Sequence, residues 1–84
     1  MNVNHLIRSA NRIGGFFEAL PDRNEGLEGI ADHIKKFWEP RMRIALLEFL
    51  EAHPDGQSAD AALSDIVLKA VMDNKQRLTP KETA

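Results

Sequence analysis

Cysteine is missing from all 84 positions of this sequence. That absence excludes disulfides, thiolate metal ligation, iron–sulfur ligation and cysteine nucleophiles. No apolar run approaches the ~18 residues needed to cross a bilayer. The first residues, Met1-Asn2-Val3-Asn4-His5, lack the basic start and apolar stretch of a signal peptide, so the expected location is cytoplasmic. Net charge is only −2, and with no overall basic field neither nucleic acid nor a membrane surface is an expected partner. Catalytic patterns are equally scarce. His5, His33 and His53 lie twenty or more residues apart, and Ser9, Ser58 and Ser64 have no nucleophile-elbow context. Gly14-Gly15 follows no strand and lacks the Gly-Lys-Ser/Thr ending of a phosphate loop. The chain reads as non-enzymatic, with no catalytic, cofactor or metal site of its own.

What is present is a folded domain's share of apolar residues, 43%, arranged in helical register. A chain of this size buries roughly 60–65% of its unfolded surface, enough for one modest core without a deep substrate cavity. Val3, Leu6, Ile7, Ala10, Ile13, Phe17 and Leu20 recur every three or four positions and predict a helix from Val3 to Leu20. Asn2 or Asn4 can cap its start, and Pro21 ends it. Asp22, with Glu25 three residues on, resembles a capping box for a second helix reaching about Trp38. Its stripe is Leu27, Ile30, Ala31, Ile34, Phe37 and Trp38, with Phe17 and Phe37 expected in the core. Lys35 and Lys36 fall in its last turn, where cations favour the helix dipole. Pro40 opens a third helix near Arg41 to Ala52. Met42, Ala45, Leu46, Leu47, Phe49 and Leu50 spread there over a wide arc, with Ile44 outside it. Pro54-Asp55-Gly56 is a turn. Ser58 is the expected cap of the last helix, whose main stripe is Leu63, Ile66, Val67, Ala70 and Val71. The expected fold is all-α: a single domain over residues 1–78, about four helices joined by short connections, then a frayed tail at 79–84.

Two places depart from a plain amphipathic bundle. The stretch from His33 to Arg43 holds the only Trp, Pro40, and the cations Lys35, Lys36, Arg41 and Arg43 against Glu39 alone. A solvated helix end explains the lysines. Trp38 beside arginines instead suits a docking surface, because a large rigid ring and planar cationic forks dominate binding energy at interfaces. Gly14-Gly15 is the second place, since each glycine inside a helix costs roughly 0.8–1 kcal/mol relative to Ala. Either the helix kinks there, or another backbone, from this chain or a partner, comes close. Phe16 falls off the main stripe, so its ring is expected to face outward, as at an interface.

The strings Asn11-Arg12-Ile13-Gly14-Gly15-Phe16-Phe17, Pro21-Asp22, Ile30-Ala31-Asp32-His33-Ile34 and Phe37-Trp38-Glu39-Pro40-Arg41-Met42-Arg43 resemble the small delta subunit of NAD-dependent formate dehydrogenases. The resemblance covers roughly residues 3–50. It implies a non-catalytic accessory subunit docking on a catalytic subunit, stabilising the assembly or its hold on cofactor. In that family the partner subunits are expected to carry a molybdenum or tungsten pterin, iron–sulfur clusters, FMN and the NAD site, and this chain none. Carried onto this sequence, the candidate docking residues are Gly14, Phe16, Trp38, Glu39, Pro40, Arg41 and Arg43. A transient assembly chaperone for cofactor insertion and a self-associating helical regulatory module remain alternatives, and the isolated chain can form a homodimer.

Overall fold

Asn2 accepts the Asn4 backbone N–H through Oδ1, 2.9 Å, and so caps helix α1, Val3–Glu18. The computed structural model describes residues 2–81 and, among them, five helices and no strand. Helix α1 runs unbroken through Gly14 and Gly15. Asp22 Oδ1 accepts from Asn24 N–H at 2.9 Å and Glu25 N–H at 3.4 Å, starting α2, Arg23–Phe37. Trp38 and Glu39 are extended, as the residue before a proline prefers, and Pro40 is the first residue of α3, Pro40–Ala52. This two-residue corner turns Trp38 inward.

The segment after α3 differs from the expectation. Ser58 caps a turn, not a helix. Its Oγ accepts from Ala61 N–H at 3.2 Å, and the last long helix, α4, begins only at Asp65 and ends at Asp73, with Ser64 at its cap position. The reason lies fifty residues away. The Asn11 amide donates to Ala62 O at 2.9 Å and accepts from Ser64 N–H at 2.8 Å, holding residues 62–64 out of helical pairing. Gly56, at φ 74°, makes the turn that sequence pattern placed there. Asn74 breaks α4 from a single further turn, α5, Lys75–Leu78, which buries Leu78. Thr79 still donates to Lys75 O through N and Oγ1. Residues 82–84 of the expected tail lie outside the described residues.

The core joins Leu6, Ile7 and Ala10 of α1, Ile30 and Ile34 of α2, Trp38, and Leu46, Phe49 and Leu50 of α3. Leu63, Leu78 and the α4 stripe Ile66, Val67, Ala70 and Val71 complete it. Each fully buried aliphatic side chain contributes about 1.5–3 kcal/mol by leaving water. Helix α1 packs on α2, α3 and α4, so three helices share its inner face. No helix among the described residues is long and apolar enough to cross a membrane.

Glycines set how closely the helices meet. A Cβ on Gly14 would collide with Val67, and one on Gly26 would lie 2.8 Å from Phe17 O. The contact at Gly14 is therefore made by side chains of this same chain, Val67 and Ile66 of α4 and Ser64 before it, and not by another backbone as expected. Gly15 faces open space. Gly26→Ala is expected to destabilise the chain by about 1–3 kcal/mol, because a backbone carbonyl cannot step aside as a side chain can. Gly15→Ala should instead stabilise it by about 0.8–1 kcal/mol through helix propensity. Urea midpoints of the two variants check both signs.

Arg77 ties α5 to α2, reaching Glu28 at 3.0 Å and Asp32 at 3.3 Å, while Lys36 reaches Asp32 at 3.1 Å. The hydrogen bond and charge of Lys36, helped by Arg77, hold the Asp32 carboxyl below its ordinary value. A carboxylate whose folded value is depressed adds stability above its unfolded value and loses it as pH falls through the folded one. Acid titration of thermal stability should therefore show a small loss below about pH 4. Asp32→Asn should diminish that loss; an unchanged acid limb would leave the pair without a stabilising role.

Candidate functional site

One row on α2 reads Gly26, Gly29, His33, Phe37, spaced three or four residues apart on a single flank. The two glycines leave a notch and the next two residues rise from it. The Phe17 ring of α1 fills the notch, since a Cβ on Gly29 would strike that ring. Phe16 meets Phe17 edge to face with centroids 5.0 Å apart, Phe17 faces His33 at 6.4 Å, and His33 leans on Phe37 at 4.7 Å. Four rings thus run from α1 across to the last turn of α2.

The two ends of this row are open to water, with Phe16 70% and Phe37 71% exposed. Phe37 was expected in the core; it sits at the edge of its stripe on the glycine flank and packs against His33 instead. Phe17 is half-buried against the core. Such large apolar exposure on ordered helices is the feature of this surface with the clearest binding chemistry.

The candidate docking residues separate into two groups. Phe16, Glu39, Pro40 and Arg41 are exposed, and Arg41 Nε pairs with Glu39 at 3.3 Å. Gly14 is buried against α4, and Trp38, 7% exposed, belongs to the core. Arg43 is half-buried and donates from Nη1 to Leu78 O at 3.3 Å, pinning the end of α5 to the start of α3. The corner therefore presents Phe37, Glu39, Pro40 and Arg41 outward and turns Trp38 beneath them.

Sequence reasoning missed Gly26, Gly29 and Asn11. The glycines carried a signal, a three-residue spacing on the flank that also holds His33 and Phe37. Asn11 carried only its place at the border of an apolar stripe, which does not name a partner fifty residues on. Among the described residues there is no pocket and no group of three His, Asp or Glu side chains able to hold a metal ion.

The fold and this face define a small all-α domain whose open aromatic surface offers binding chemistry and no cleft. The family model described as NADH-dependent formate dehydrogenase delta subunit FdsD matches residues 5–71, and the chain belongs to that family. No match was found among curated proteins or among solved structures.

Proposed function

We propose that this chain is a non-catalytic accessory subunit of a cytoplasmic NAD-dependent formate dehydrogenase. It docks through the aromatic row on the catalytic subunit and stabilises assembly or cofactor retention. Family membership supplies the complex. The observation that supports docking is the pair of exposed rings, Phe16 and Phe37, braced from below by Phe17 and His33. Burying a phenylalanine from water contributes about 1.5–3 kcal/mol, and bracing means little side-chain entropy is lost on binding.

With no cysteine and no three-ligand cluster among the described residues, the donor chemistry of this chain does not fit an iron–sulfur or metal centre. On the proposed reading, the molybdenum or tungsten pterin, the clusters, FMN and the NAD site belong to the partner subunits. Glu39, Pro40 and Arg41 form the polar rim of the docking face, and Gly14, Trp38 and Arg43 hold its shape from within.

The test is to purify the complex from cells with and without this chain, measuring subunit proportions and metal content. Stoichiometric recovery with the chain, and loss of subunit association or of metal without it, is the expected result. Recovery with the apo catalytic subunit alone would make it a transient chaperone. A chain that returns only itself would be a self-associating module, and the proposal would fall.

A further inference from the structure

Charge is segregated along this molecule. The chain is net negative, yet its first acidic residue is Glu18, the last residue of α1. Steps of three and four along that helix run His5, Arg8, Arg12, Gly15, all exposed, on the side away from Leu6, Ile7 and Ala10. Arg8 and Arg12 are four residues apart, where like charges repel. Among the described residues neither guanidinium has an ion-pair partner, which is also true of Arg23, Lys35, Arg43 and Lys75, whereas Lys36, Arg41 and Lys69 have one each and Arg77 has two. Next to these cations lie the Gly15 gap, with nothing within 4 Å of where a Cβ would be, and the exposed Phe16 ring.

We infer that the outer face of α1 seats a helix of the partner subunit that presents carboxylates to Arg8 and Arg12 and comes closest at Gly15. The Phe16 ring packs on the apolar side of that helix. This inference rests on the docking reading above and names the chemistry of the partner. Arginine forks bind carboxylates in pairs of hydrogen bonds, which fixes the register of the incoming helix. A missing Cβ in mid-helix allows a crossing helix to approach closely, a reason to keep Gly15 despite its cost in propensity. A second copy meeting this one α1 to α1 is a poor occupant, because it brings the same two guanidinium groups and no carboxylate before Glu18; self-association of the chain through another helix would overturn the assignment.

The experiment measures binding of the full chain to the purified catalytic subunit alone, the partner named above, at low and moderate salt. The variants are Arg8→Glu with Arg12→Glu, and Gly15→Leu. Affinity should fall about tenfold or more in each, and added salt, which weakens wild-type binding, should instead strengthen binding of the charge variant. Gly15→Leu is the more telling of the two, since it points into open space and should not lower the unfolding midpoint. If wild type binds and both variants bind equally well, the α1 face is not the seat, and docking elsewhere on the chain survives. Failure of wild type to bind would overturn the docking reading itself, and this inference with it. Binding of random single-stranded RNA in place of the subunit, lost in the charge variant, would overturn the protein-helix assignment.

Discussion

Trp38→Ala is expected to cost the isolated chain about 3–5 kcal/mol, the range for emptying a buried aromatic site. For a domain of this size that is a large part of the total. The loss follows from the corner. The Trp38 backbone donates to Ile34 O at 3.0 Å and then runs extended into Glu39 and Pro40, so the ring has one direction available, into the core. Neighbouring rotamers cannot close a void of that volume, because α2 and α3 are both tied to the same two residues. The measurement is the urea midpoint, with an unchanged slope showing that stability alone has moved. Trp38→Phe should recover part of the loss. A small change in midpoint together with a large loss of subunit binding would place the Trp38 ring at the interface and not in the core.

Phe37→Ala, one residue earlier, should behave in the opposite way. Its ring is exposed and touches His33, so unfolding of the free chain should shift by no more than about 0.5 kcal/mol. Binding to the catalytic subunit should weaken by about 2 kcal/mol or more, roughly thirtyfold, as for an aromatic anchor at an interface centre. Titration calorimetry of wild type and variant against the remaining subunits decides it. Unchanged affinity would remove the aromatic row from the docking face. The contrast between adjacent residues is the useful part, since a general loss of fold would affect both measurements in both variants.

The helices α1, α2 and α3 were legible in the sequence because their boundaries are made by local chemistry. Asn2 and Asp22 cap and Pro40 starts, each acting within a few residues of itself, whereas α1 ends at Glu18, two residues short of the expected Leu20, which is exposed. The stripe from Leu63 to Val71 was legible too, and all five of its named residues are buried. Its helix start was not, because Ser58 and Ser64 are equally good caps locally and the choice is made by Asn11, a distant residue. The inward turn of Trp38 and outward turn of Phe37 were obscure for a different reason. Both fall within one apolar arc; the extended corner before Pro40 turns Trp38 in, and Phe37 is left on the flank where α1 crosses α2. That crossing is governed by Gly26 and Gly29, whose contribution is the absence of a side chain. Periodicity of apolar residues does not register an absence. Of the candidate docking residues, Phe16 was read as outward from its position off the stripe, and it is outward.

The Asn11 clamp also bears on time. It joins residues 51 and 53 positions apart, bonds that an unfolded chain can form only after closing a long loop. Pairings of that span tend to follow the meeting of sequential helices such as α1 and α2. Interactions made after the rate-limiting step slow unfolding and leave the folding rate nearly untouched. The clamp is therefore a device of persistence, acting on how long the folded chain survives more than on how soon it forms.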